Sequence, residues 1–228
     1  MTIVGDALQK LQNDGTIRAS NGGQITLLGQ SRTAKLGRLQ TQGGKVKLTG
    51  ALDNSGQTLT LGTATGDWTF ENLIVTGGAI VINPGGQPIL AGREDFDGVA
   101  VTGDLTLPTN VQLRIRNGLT LNGAIQMNGL LAFQGDQTLA AGTIVFTGLN
   151  SRVSLVGNTQ LTLGPDVIVH GKSAAMGYPE QSAGVQALKN YGRISADVAG
   201  GVIRINQATF ENHGTLEQLN GGSIVIGP

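Results

Sequence analysis

The densest run of chemistry-bearing side chains is Arg93-Glu94-Asp95-Phe96-Asp97, with three acids and a base inside five positions. Carboxylates gathered beside a base can hold a hard cation or perform acid–base work on a glycosidic bond. Along a strand, however, neighbouring side chains alternate between faces, so Glu94 and the two aspartates would not all converge on one site. The expected arrangement is an acidic, solvated corner preceding a strand at Val99 and Val101, with Glu94, Asp95 and Asp97 kept as the weaker cation or sugar candidate. Other catalytic constellations find little support. No Gly-x-Ser-x-Gly elbow occurs, and Gly171-Lys172-Ser173 lacks the upstream glycine of a phosphate-binding loop. The absence of cysteine removes thiolate nucleophiles, thiolate metal sites and disulfides together. No cofactor is expected, and the chain reads as a non-enzyme.

Composition narrows the partners. Lys and Arg number 15 against 15 Asp and Glu, so the formal net charge is zero, and only 13% of residues are charged against roughly 25% in an average domain. Nucleic-acid binders concentrate cations on a face, which speaks against nucleic acid as a partner. No apolar run approaches the ~18 residues of a membrane-spanning helix. The 37 glycines are about twice the usual ~7% share. With only 6 prolines and 39% hydrophobic residues, they punctuate a folded chain rather than loosen a disordered one.

The punctuation is periodic. Gly22-Gly23-Gln24-Ile25-Thr26-Leu27 recurs 21 positions later as Gly43-Gly44-Lys45-Val46-Lys47-Leu48. Gly200-Gly201-Val202-Ile203 recurs after the same interval as Gly221-Gly222-Ser223-Ile224, and Gly77-Gly78-Ala79-Ile80 is a fifth copy. After each glycine pair, polar and apolar residues alternate, which is the signature of a strand with one buried face. A second turn element, Asn-x-Gly-x-apolar, appears at Asn13 with Gly15, at Asn190 with Gly192 and at Asn212 with Gly214. It precedes the next glycine pair by 9, 10 and 9 positions.

Two strands and two turns in roughly 21 to 22 residues make one coil of a parallel β-helix. Alternation persists between these copies, through Leu105/Leu107, Leu113/Ile115, Ile144/Phe146 and Leu161/Leu163, and predicts a stacked interior. The segment Lys172–Lys189 contains Gly177, Pro179 and Gly184 and is expected to be a loop excursion. Turn asparagines are expected to stack between coils, satisfying buried amides.

The histidines, His170 and His213, lie 43 positions apart. Two coils would separate them by roughly 10 Å along the axis, too far to share a metal. His213 is expected to be the variable residue of its turn and His170 a strand-end polar residue. The Thr58/Thr60 and Thr63/Thr65 pairs lack the 21-residue recurrence of a lattice-binding face. Trp68, Tyr178 and Tyr191 are too few for an aromatic sugar platform.

The stretch from Asn190-Tyr191-Gly192-Arg193-Ile194 through Gly200-Gly201, then Asn212-His213-Gly214-Thr215-Leu216 into Gly221-Gly222, resembles the repetitive β-helical regions of large bacterial secreted proteins: filamentous-haemagglutinin-like adhesins and autotransporter passenger domains. The resemblance implies surface display, adhesion or matrix-building at the bacterial cell surface or beyond it.

The expected fold is therefore all-β, one right-handed parallel β-solenoid domain over residues 1–228, of about ten coils. Met1-Thr2-Ile3-Val4-Gly5-Asp6 lacks the basic and apolar regions of a signal peptide, and the chain is expected to be a segment of a longer protein. The expected role is a stiff spacer or self-associating fibre unit. Its partners would be further copies stacked head to tail, or a cell-surface glycan or matrix. A carbohydrate-binding or polysaccharide-degrading β-helix is the alternative.

Overall fold

Alternating apolar residues must all point one way, and a chain that repeats such alternation between glycine corners buries them by winding round a single axis. A computed structural model describes residues 1–5, 12–179, 184–206 and 209–227, and within them the chain forms a parallel β-solenoid of about ten turns. Every strand pairing among these residues is parallel. Parallel crossovers of this kind take the right-handed winding. One long sheet runs from Thr2–Gly5 through Gln24–Arg32, Lys45–Asp53, Asp67–Thr76 and Arg93–Thr102, and onward to Ser223–Ile226. A second begins at Leu105–Leu107 and continues through Gln137–Phe146 and Thr159–Gly171. The strand Thr159–Gly171 pairs through residues 159–163 with Gln186–Asn190 and through residues 168–170 with Arg193–Ala196. The long strands thus bend round corners, and a coil has three faces.

Inside, equivalent residues form columns. One column reads Leu52, Val75, Phe96, Ile115, Phe133 and Leu155, each in register with the next. All six are buried within a continuous hydrophobic core. The alternating pairs named from the sequence, including Leu105/Leu107 and Leu161/Leu163, are buried as expected.

Three expectations change. The coil length is not uniform: Leu113 stacks on Leu131, 18 positions on, whereas Met176 stacks on Ile205, 29 positions on. The segment Lys172–Lys189 is not a loop excursion, because it contributes strands Ala174–Pro179 and Gln186–Asn190; residues 180–183 lie outside the described part. The glycine pairs also do not share one column. Gly22 N–H donates to Gly43 O at 2.8 Å and Gly200 N–H to Gly221 O at 3.2 Å, so those copies do stack. Gly77-Gly78 instead packs on the corner at Asn54 and Ser55, one strand further round the coil. The motif marks a corner followed by a strand, whichever corner that is.

The Asn-x-Gly pattern makes Gly15 equivalent to Gly192 and Gly214. Those two press on the backbone of the coil before them, where a Cβ would lie 2.3 Å from Val167 O and 2.1 Å from Gly192 O. Gly15 is exposed, and a Cβ there would meet only Asn13 Oδ1, at an ordinary 3.5 Å, among the described residues. The crowded position at this corner is Gly37 in the next coil, with φ at 65° and its would-be Cβ 2.6 Å from Gly15 O. Gly15 belongs to the first described coil, and its carbonyl joins the ladder by accepting from Arg38 N–H at 3.0 Å.

The corners are held by side-chain amides. Asn54 is fully buried, and its Nδ2 donates to Ala79 O at 3.0 Å in the next coil. Asn190 Nδ2 donates to Asn212 Oδ1 at 2.7 Å, the stacking expected of turn asparagines. Asn13 reaches the following coil differently, donating to Leu36 O at 2.8 Å, while its Oδ1 accepts from Gly15 N–H at 3.2 Å.

Since no coil closes on itself, stability should depend on column continuity. Replacing Phe133 by Ala, between Ile115 and Leu155, is expected to cost about 3–5 kcal/mol in chemical denaturation. A loss below about 1 kcal/mol would contradict a close-packed column.

Candidate functional site

The acidic cluster lies inside a strand, not in a solvated corner before one: Arg93–Thr102 is continuous, and residues 93–97 pair with residues 112–116 of Gln112–Asn122. Strand alternation then splits the three acids. Glu94 faces inward and is fully buried, stacked on Leu113 in a column that continues through Leu131, Val153 and Met176. Asp95 and Asp97 face outward, opposite Arg114 and Arg116.

Glu94 has a local reason to point into the core. The preceding coil carries an extra residue at Asn72, where the register shifts and the backbone turns to φ 49°. Such a bulge leaves amides without ladder partners. Glu94 accepts from them: Leu73 N–H donates to Oε2 at 2.7 Å and Ala91 N–H to Oε1 at 3.3 Å. Asn72 Oδ1 in turn accepts from Arg93 N–H at 3.1 Å. Gly92 is required at this corner, because its φ is 92° and a Cβ would lie 2.4 Å from Asn72 Oδ1. Burial pushes the Glu94 carboxyl up to about 7; the amides of Leu73, Ala91 and Asn72 pull it down without compensating, and neighbouring Asp95 adds a small rise.

On the outer face, Asp95 is largely covered by guanidinium groups, with Arg93 Nε at 3.4 Å, Arg114 Nε at 4.0 Å and an Arg116 terminal nitrogen at 3.7 Å. Asp97 accepts from Asn117 Nδ2 at 2.5 Å and faces Arg116 at 3.9 Å. These carboxylates are neutralised by cross-strand partners, and they point away from Glu94. The trio therefore does not converge on a cation or a glycosidic bond. Among the described residues, no group of three His, Asp or Glu side chains is placed to hold a metal ion.

The histidines also have partners that the sequence did not reveal. His170 Nδ1 lies 2.9 Å from Asp197 Oδ2, and His213 Nε2 lies 3.6 Å from Glu211 Oε2. The His213 ring stacks on Tyr191 with centroids 4.9 Å apart. The two do not meet: His170 is in register with Ser195 and then Glu217, four positions beyond His213. Trp68 is buried and unavailable to a ligand. Thr58 stacks on Ala79 and Thr60 on Val81, so threonines do not repeat from coil to coil there.

Sequence reasoning missed the outward column Arg93, Gln112, Leu130, Arg152, Ala175 and Arg204, whose members are in register through six coils. Its arginines are separated by unequal coil lengths, so no fixed period exposes it.

No protein-family model matches the chain, and no curated protein or solved structure is significantly similar to it. No helix among the described residues is long and apolar enough to cross a membrane.

Glu94 makes stability depend on pH in a defined direction. Its folded pKa of about 7 lies above the unfolded value of 4.5, so the native state holds the proton more tightly and stability falls as pH rises between those values. Glu94→Gln is expected to flatten that fall, which is about 3 kcal/mol in full. Denaturant titrations from pH 4 to pH 8 check it, and parallel profiles for both proteins would remove Glu94 as the cause.

Proposed function

We propose that this chain is a non-catalytic, rod-forming segment of an extracellular or cell-surface protein, a stiff spacer or fibre unit of the adhesin type. The observation that carries the reading is the uninterrupted stack of parallel coils on one core. Among the described residues, strand Thr2–Gly5 pairs only with Gln24–Arg32, and Ser223–Ile226 only with Val202–Ile205. A parallel strand edge is satisfied by another strand. Further coils of a longer chain or a second copy stacked head to tail would supply it.

Two further features support a scaffold over an enzyme. The acids that a polysaccharide-cleaving β-helix would need are engaged in folding: Glu94 serves a bulge, and Asp95 and Asp97 serve an arginine ladder. The strand Ser223–Ile226 keeps the inward apolar alternation of the coil before it, as a strand that pairs with a further coil would. A surface location follows from the resemblance of the Asn-x-Gly and Gly-Gly modules to secreted bacterial β-helices. Surface labelling of intact producing cells tests that location directly.

Electron microscopy across a concentration series tests the association. Filaments of uniform narrow width that lengthen with concentration are expected, and Ile226→Lys, which sets a charge on the inward side of the edge, should leave rods that no longer lengthen. Single short rods at every concentration would reject self-association, and globular particles would reject the rod.

A further inference from the structure

One corner of the solenoid is longer than the corners stacked on it. Five positions separate Leu163 from Ile168, whereas three separate their register partners Asn190 and Arg193, and three again separate Asn212 and Thr215. Both ends of the longer corner rest on Gly192, where a Cβ would lie 2.6 Å from Gly164 O and 2.3 Å from Val167 O. Pro165 and Asp166 therefore arch outward between them, and both are exposed. Beside this ledge lies a trough of about 420 Å³, lined by Pro165, Asp166 and Ile168 and, in the next two coils, by Tyr191, Arg193 and Thr215. Tyr191 and His213 hold equivalent turn positions. The 2.7 Å bond between Asn190 and Asn212 just before them aligns the two corners, and the rings stack with centroids 4.9 Å apart and 17° between their planes. His213 is itself held by Glu211, which Lys189 also contacts at 3.3 Å. One face of Tyr191 is thus covered by His213, while the side chain, 45% exposed, lines the trough. Arg193 Nη1 lies 3.7 Å from Glu217 Oε2, a contact that orients the guanidinium and leaves most of its five donors available. Asp166 takes part in none of the ion pairs among the described residues.

We propose that this corner binds a pyranose unit of a neutral polysaccharide, with a C–H face of the sugar on Tyr191 and its hydroxyls between Asp166, Arg193 and Thr215. A sugar ring carries C–H bonds on its faces and hydroxyls round its edge, so an aromatic surface beside hydrogen-bonding groups of both kinds matches it. Asp166 accepts, Arg193 donates, and the Thr215 hydroxyl does either. Hydrogen bonds to the two charged groups are the stronger ones, and a hydroxyl can serve both. Pro165 and Ile168 add apolar surface to the floor. A strongly anionic ligand would meet Asp166 and a cationic one Arg193, so the opposite charges in the trough favour a neutral ligand over either. Tyr191 by itself is a small platform, as the low aromatic content implied. The stack on His213 fixes its ring before any ligand arrives, which lowers the cost of ordering it on binding.

The site adds a ligand to the spacer reading without depending on end-to-end association, and rods seen by microscopy would persist if binding failed. Calorimetric titration of the whole chain with cello-, manno-, galacto- and chito-oligosaccharides tests it, with an oligogalacturonate as the acidic comparator. Binding to at least one of the neutral sugars is expected, with a Kd of about 1 mM or tighter and little dependence on salt. Tyr191→Ala and Asp166→Asn, both changes at exposed side chains, should each weaken it about tenfold with unchanged melting curves. Tyr191→Phe keeps the ring and should cost less than about threefold, whereas Arg18→Ala on the strand Thr16–Ser20 should cost nothing. Absence of binding to all the neutral sugars, tighter binding of the oligogalacturonate, or full binding by both Tyr191→Ala and Asp166→Asn would overturn the proposal.

Discussion

Parallel stacking of one coil on the next is the constraint from which the rest of this molecule follows. Each strand must lie about 4.8 Å from its equivalents, so any residue has a fixed neighbour above and below on the same side of the sheet. Inside, this turns sequence alternation into columns such as Val75, Phe96, Ile115 and Phe133, where each side chain fills the space left by the last. Outside, it sets Asp95 against Arg114 and Asp97 against Arg116, pairs that no local sequence rule would join. Partly covered pairs of this kind gain more than freely solvated ones, because fewer alternative geometries and less water compete with them. The same constraint makes the corners the weak points, where chain direction changes and ladder hydrogen bonds lapse. Buried polar groups sit at such irregular points: Asn54 and Asn190 at corners, and Glu94 beside the bulge at Asn72.

How legible this was in the sequence depends on the range of each signal. Alternation is a two-residue signal, and it correctly placed Leu105, Leu107, Leu161 and Leu163 inside. Corner chemistry is a signal of four or five residues, and it correctly marked Gly22, Gly43, Gly200 and Gly221 as turns that stack in pairs. Register is set over a whole coil, and the sequence carries no ruler for it. With coil steps of 18 positions at Leu113–Leu131 and 29 at Met176–Ile205, equivalent residues drift away from any fixed period. That drift hid the column containing Arg152 and Arg204, and it made Gly77-Gly78 look equivalent to glycine pairs at another corner.

The acidic run illustrates a different loss. Alternation alone implied that Glu94 and the aspartates would part company, and they do. It did not reveal which acid would face the core, because a carboxylate among leucines is a poor prior choice. The deciding feature is one coil away: the extra residue at Asn72 releases amides towards the interior, and Glu94 is the side chain in register to accept them. A buried polar group is tolerated where an otherwise unpaired partner would cost more, and that comparison needs the register.

The division between inner and outer residues also bears on function. Core columns and corners are committed to folding, so little of their chemistry is free to act on another molecule. Outward positions on the flat faces that take no part in pairs such as Asp95 with Arg114 are less committed, and substitutions there leave the backbone ladder intact. The two neutralised aspartates occupy one stretch of the outer face, whereas the strands beyond them in the same sheet, Leu130–Gln134, Ser151–Val156, Ala174–Pro179 and Val202–Ile205, hold Arg152 and Arg204 and no acids. A chain with zero net charge thus keeps an uneven surface, with its cations set in line by the same stacking that orders its core. A rod built this way presents whatever outward side chains its coils carry, so its surface can vary without disturbing the columns inside.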